Sequence, residues 1–254
     1  MNDLLDVDAT LGRIEDDTSR IAASVTTGDL RAPVAACPGW DVRELAVHVG
    51  TIHRWATEAV RTAGPPESGA IHRPERDAPA EELGAWLRLG SGLLCDALRA
   101  ASPQDPSWHP FPYAQTIAFW PRRQMVETAM HRWDTEVATA GASDLEPSVA
   151  VVGIAEYFEL GLPRVLDRSG TEAPSASMHV HCTDDALPDG AGEWFVSSED
   201  GVLRVEEAHR RGDCALRGCA SDLLLVLMGR RDRGVLDVAG DPTAASAWLD
   251  LPGW

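Results

Sequence analysis

Glu127-Thr128-Ala129-Met130-His131-Arg132-Trp133-Asp134 is the stretch on which the reading of this chain turns. Pro121 suits the first turn of a helix and Gly141 its stop, which predicts a helix over about 121–140. On such a helix residues four apart are only about 40° apart in azimuth, so Glu127 and His131 address the same point in space. A carboxylate and a neutral imidazole at that spacing can chelate a divalent metal, and the same pair also occurs as a solvated ion pair with no ion between. Asp134, three residues on, is a third ligand, a hydrogen-bond partner behind the His131 ring, or a surface residue.

A second helix adds weight to the metal reading. Asp41, three residues before Glu44, reads as a capping box, and Val42, Leu45, Val49 and Ile52 form a buried stripe running to about residue 62. His48 falls close to that stripe, where a polar side chain needs a partner. One His from this helix and a Glu/His pair from its neighbour make a three-ligand site with an open position, the catalytic arrangement of zinc. The alternative is a core histidine bonded to a carbonyl. His53 lies about 140° around the helix from His48, so it should not share that ion.

Outward from these two helices the helical pattern continues. Leu11, Ile14, Thr18, Ile21 and Val25 predict a helix over about 8–27, and Leu83, Trp86, Leu87, Leu94 and Leu98 another from about Pro79. Residues 101–120, rich in proline and aromatics around Trp108-His109-Pro110-Phe111-Pro112, read as an ordered loop long enough to wall off a cavity, with His72 and His109 able to reach its mouth. A fifth helix is expected over about 148–167. Near Gly170 the apolar period changes from 3.6 to 2. Strands are expected at 176–183, 194–198, 201–206, 214–218 and 235–239, with an apolar helix over 220–228 and a last helix from Asp241-Pro242. The expected architecture is α+β with two domains: a helical bundle over 1–168 and a small α/β domain over 171–254. His179 and His181 share one strand face, read as solvated because no third partner stands at a suggestive spacing.

Composition narrows the function. The 254 residues carry Lys+Arg 22 against Asp+Glu 40, a net charge of -18, and every basic residue is arginine. So negative a field argues against nucleic acid or an anionic membrane as main partner. Five cysteines without a CxxC pair, and a start at Met1–Ala22 that lacks a signal-peptide core, lead us to expect a reducing cytoplasm. No Gly-rich phosphate loop or GxSxG elbow is present. Cys37, just ahead of a helix start, is either an activated thiol or a small buried residue at a tight turn.

Cys37-Pro38-Gly39-Trp40-Asp41-Val42-Arg43-Glu44-Leu45-Ala46-Val47-His48-Val49-Gly50, with His53-Arg54-Trp55, resembles the first signature of the mycothiol-dependent maleylpyruvate isomerase family. Glu127 to Asp134 resembles the second, and Gly218 to Arg230 is similar to a segment near the end of the family's C-terminal domain. The resemblance implies a DinB-like four-helix bundle holding one divalent metal, usually zinc, on His48, Glu127 and His131, with water in the open position. It further implies mycothiol, an actinobacterial low-molecular-weight thiol, as cofactor and a small electrophile as substrate. Arg230 would then orient a substrate carboxylate, and Asp134 would orient His131. In an isomerase, thiol addition permits rotation about the former double bond and elimination returns the thiol; in an S-transferase the adduct leaves. Two other readings stand beside these: a metal-dependent hydrolase using bound water, and a non-catalytic binding or regulatory protein on the same scaffold.

Overall fold

The first half of the chain makes four helices, each ended by local chemistry. Helix α1 (Val7–Thr27) starts where the Asp6 carboxylate accepts from Ala9 N, and it stops at Gly28. Helix α2 (Val42–Thr62) carries the full capping box: Asp41 accepts from Glu44 N at 2.9 Å, and Glu44 accepts in return from Asp41 N at 3.0 Å. Helices α3 (Ala80–Ala100) and α4 (Phe119–Thr139) complete the bundle. The computed structural model describes residues 5–67 and 69–252, and its packing divides the chain between Ser143 and Asp144.

The bundle core is the predicted stripe: Ile21 and Val25 of α1, Leu45 and Val49 of α2, and Leu83 and Leu87 of α3 are fully buried in one cluster. Helices α2 and α3 close on each other at Gly50, where a Cβ would lie 2.0 Å from the Trp86 indole. Arg54 covers that indole, 3.9 Å from the ring centroid, and donates to the carbonyls of Gly50 and Trp86. Gly50→Ala therefore meets two opposed effects. Helix propensity gains up to about 1 kcal/mol, but displacing the indole and its guanidinium cover costs about 1–3 kcal/mol. We expect net destabilisation, read as a lower urea midpoint at unchanged m-value; a raised midpoint would show that the indole swings away freely.

Helix α4 departs from a simple amphipathic helix. It buries Arg123, Gln124, His131, Arg132, Asp134 and Glu136 along with Met125, Val126 and Ala129. Its charges are paired rather than solvated: Arg132 lies 3.3 Å from Asp17 of α1 and 2.9 Å from Glu136, and Arg20 of α1 also donates to Glu136 at 2.8 Å. Burial pushes the Asp17 carboxyl above its ordinary value, against the pull of Arg132 and Arg20.

The loop over 101–118 is ordered, as its composition suggests. Ser107 Oγ donates to Ala59 O at 3.1 Å and accepts from Trp120 Nε1 at 2.8 Å. His109, placed by sequence only within reach of a cavity mouth, is 2% exposed, stacked on Phe119 at 3.8 Å and bonded to Ala114 O. Its ring staples the loop together.

The second unit begins with helix α5 (Pro147–Glu156), a π-helical turn (Tyr157–Gly161) and α6 (Leu162–Ser169). Strands β1 (Met178–Cys182), β2 (Glu193–Glu199), β3 (Val202–Glu206), β4 (Cys214–Gly218) and β5 (Asp237–Gly240) form a mixed sheet in the order β3-β2-β1-β4-β5. Only β1 and β4 pair in parallel. Asp200 and Gly201 both take positive φ, 51° and 76°, the primed turn that matches strand twist and joins β2 to β3. Helices α7 (Ala220–Leu227) and α8 (Pro242–Leu249) follow β4 and β5. Near Ser143/Asp144 the chain is already tied into this unit: Leu145 N donates to Ser221 Oγ at 3.0 Å and Asp144 pairs with Arg231 at 3.0 Å. The boundary read from sequence at 168–171 marks where helix gives way to strand. Packing divides the chain earlier, because α5 lies against α7.

Candidate metal centre

Helices α2 and α4 pack together, and the packing brings their polar positions face to face. His48 Nε2 lies 3.1 Å from Glu127 Oε1, and His131 Nε2 lies 3.3 Å from the same oxygen. The two imidazoles are edge to face with centroids 5.2 Å apart. Asp134, its side chain fully buried, accepts from His131 Nδ1–H at 3.0 Å. That bond fixes the ring's orientation, with Nε2 directed at Glu127. Arg123, one turn before Glu127, grips the other carboxylate oxygen, Oε2.

Glu127 feels burial, which alone raises a carboxyl pKa, but Arg123 and His131 outweigh it and hold the group well below the ordinary range. His131 shows the mirror image: burial opposes its charge, yet Glu127 and Asp134 push it up to about 9. His48 is the exposed member, with 29% of its side chain open and its ring 4.9 Å from Trp40. It lines a cleft of about 1540 Å³, walled by Trp40, Arg31, Arg43 and the segment Arg73–Asp77. This wall is the loop before α3, not the 101–118 loop that composition favoured.

Residues 11–136 match the family described as mycothiol maleylpyruvate isomerase N-terminal domain. This helical segment belongs to that family. Two solved structures share the fold: a mutant of the mycothiol-dependent maleylpyruvate isomerase, with TM-score 0.64, and the mycothiol-dependent maleylpyruvate isomerase itself, with TM-score 0.63. Each is 12% identical in sequence, with 98% of both chains covered. No curated protein matches the chain in sequence. The resemblance read from the two N-terminal signatures, and the bundle followed by an α+β sheet domain, thus stand.

The donor set fits a divalent metal. Ligand atoms at about 2.0–2.2 Å around a tetrahedral ion stand about 3.3–3.6 Å apart, and the two N···O separations here, 3.1 and 3.3 Å, lie close to the lower end. Two imidazoles and one carboxylate, with an orienting carboxylate behind one ring, are ligands of the class zinc accepts.

His53, as its azimuth requires, lies outside the group. Thr128 Oγ1 gives its proton to Gln124 O at 2.7 Å, so His53 Nε2–H donates to Thr128 Oγ1 at 2.9 Å and the ring is neutral. Burial depresses its pKa to about 4 from 6.5. An unfolded chain takes up this proton near pH 6.5 and the folded one does not. The stability His53 lends is therefore complete above pH 6.5 and is lost as pH falls toward 4, by about 3 kcal/mol. Urea midpoints measured across that window should fall more steeply in wild type than in His53→Gln; parallel curves would assign the acid sensitivity to other groups.

Sequence reasoning missed three neighbours of the centre. Arg123 stands four residues before Glu127 and was legible by the same helical spacing. Trp40 lay inside the first signature without a role. Cys37, weighed as an activated thiol or a turn residue, presents its Sγ within 4.8 Å of a His131 nitrogen and an Asp134 oxygen, a nearness no local pattern encodes. Arg230 follows α7 in the second unit, where its guanidinium donates to Met228 O at 3.2 Å. His72 is an exposed loop residue. His179 and His181, read as a solvated face, are instead partnered by Glu193 and His209.

Proposed function

We propose that this chain is a divalent-metal-dependent enzyme that uses mycothiol, or a closely similar small thiol, to isomerise or conjugate a small electrophilic molecule. The observation that carries the reading is the convergence of His48 and His131 on one oxygen of Glu127 beside an open cleft. These three residues would hold the ion, zinc by its preference for this donor set. Bound there, the ion would supply Lewis acidity, lowering the pKa of a coordinated thiol or water so that a nucleophile exists at neutral pH.

The chain's own residues prepare that chemistry. Arg123 occupies Glu127 Oε2 and so turns Oε1 toward the two rings. Asp134 holds the His131 ring by its far nitrogen. His48, the least buried of the three, faces the cleft through which substrate and thiol would enter. Arg230 is our candidate for binding a substrate carboxylate, as a bidentate partner.

The reading is tested with metal-loaded and chelator-stripped protein, each assayed against a panel of small electrophiles with and without thiol. Turnover that needs both metal and thiol is expected. Turnover with metal alone would transfer the assignment to a hydrolase, and none on any electrophile with metal and mycothiol present would leave the scaffold a binding protein.

A further inference from the structure

A second cluster of metal-ligand type lies in the sheet unit and has no part in the function proposed above. On β1, His179 and His181 project from the same face. The β1–β2 register sets Glu193 directly across from His181. His209 arrives from the segment between β3 and β4. All three rings address one oxygen: Glu193 Oε2 lies 3.0 Å from His179 Nε2 and 3.2 Å from His181 Nδ1, and it is also met by His209 Nδ1. The ring centroids are mutually 5.2, 5.7 and 6.0 Å apart, and the four candidate donor atoms all fall within 4.8 Å of one another.

The number of rings is the telling feature. His179 and His209 already hydrogen-bond to Glu193 Oε2 and use its two lone pairs, so the oxygen has none left for His181 Nδ1 at 3.2 Å. An ion at the centre removes the conflict, because each neutral ring then turns a lone pair, not a proton, toward the middle. The His179 and His181 separations from Glu193, 3.0 and 3.2 Å, also sit near the roughly 3.3 Å edge of a tetrahedron with bonds of about 2.0 Å. The segment that brings His209 is fastened at two points just after it. Arg210 lies 4.0 Å over the Phe195 ring of β2, and Asp213 accepts from Ser177 N at 2.7 Å and Ser177 Oγ at 2.8 Å. His209 therefore approaches the cluster from an anchored backbone although its own side chain is largely exposed.

We propose that His179, His181, Glu193 and His209 form a second divalent-metal site, for a zinc-class cation, that shares no ligand with the His48, Glu127, His131 group. Three imidazoles and a carboxylate fill a tetrahedral shell, which is the closed arrangement of a structural ion rather than a catalytic one. The ion would tie β1, β2 and the 207–213 segment into one unit. Nitrogen-rich ligation selects zinc, cobalt, nickel or copper over magnesium or calcium.

The experiment uses the full chain, stripped with chelator and reloaded with Zn²⁺ or Co²⁺, with bound metal counted by mass spectrometry and Co²⁺ geometry read from its visible absorption. Wild type should hold two equivalents. A variant with His48→Ala, Glu127→Gln and His131→Ala should keep one, with a tetrahedral Co²⁺ spectrum. Adding His209→Ala to that variant should weaken the remaining site by more than about ten-fold; because this side chain is 77% exposed, the change leaves folding intact, as circular dichroism would verify. Glu193→Gln should act in the same direction. Loss of all tight metal in the His48, Glu127, His131 variant overturns the second site and leaves the first standing. A wild type that holds one equivalent, kept in that variant and weakened by His209→Ala, supports the second site and counts against the first. Zinc uptake unaffected by His209→Ala and Glu193→Gln alike overturns the ligand set.

Discussion

Replacing Glu127 with Gln will release the ion from the bundle, lowering its zinc affinity on the order of 10³-fold. The size follows from what the carboxylate does. Its Oε1 is the one atom that both imidazoles face, at 3.1 and 3.3 Å, and it brings the site's anionic charge. An amide keeps the shape and loses the charge, and it sets Arg123, now without its anion, beside a dication. Asp134→Asn should cost less, about 10–100-fold, because that carboxylate acts through the His131 ring. Both are measured by competition with a chelating dye in a His209→Ala background, so that zinc held by the sheet cluster does not mask the loss. Equal affinity in Glu127→Gln and its parent would dismiss the ligand set, and with it the reason for placing metal chemistry in this bundle.

The largest effect on stability should come from Arg132→Ala. Arg132 is 3% exposed and sits between Asp17 of α1 and Glu136 of its own helix. Truncation leaves two carboxylates with little solvent and with Arg20 and the more distant Arg13 as neighbouring cations, and breaking a buried ion pair from one side costs about 3–5 kcal/mol. The loss should depend on pH in a definite direction. Asp17 already has a raised pKa, from burial against the pull of Arg132 and Arg20. Without Arg132 that pKa rises further, so the folded variant binds a proton more readily than the unfolded chain. Its deficit against wild type is then greatest near neutral pH and shrinks as pH falls and the carboxyl is neutralised. Urea unfolding at pH 7.5 and pH 5.5 gives the comparison. A deficit that stays below about 1 kcal/mol at the higher pH would mean that the remaining arginines, Arg20 and Arg13, compensate both acids.

What the sequence disclosed depended on whether the relevant information was local. Capping at Asp41, the stripe through Leu45 and Val49 and the stop at Gly141 are all decided within a few residues, and each stands in the structure. The Glu127–His131 pair was legible because helical spacing alone makes it meet. His48 entered only through the argument that a polar group near an apolar stripe needs a partner, and its partner proved to be 79 residues away. Glu193 and His209 escaped notice for the same cause. Seeing Glu193 beside His181 requires the β1–β2 register, and His209 comes from a segment with no period of its own. The early change of unit at Ser143/Asp144 was hidden because helical periodicity says which face is buried, not what buries it.

The wide turn at Tyr157–Gly161 bears on how this chain can vary. A π turn holds one residue more than the α-helical turn it replaces, and the helices on either side keep their facing because the bulge absorbs the surplus. Shortening the chain by one residue within that turn would regularise it and leave Leu162 and Val165 directed inward. The same deletion a few residues earlier, inside α5, would swing everything after it by about 100° and carry those side chains off their seat. Length variation among natural relatives in this helix should therefore gather at 157–161, with gaps scarce on both flanks.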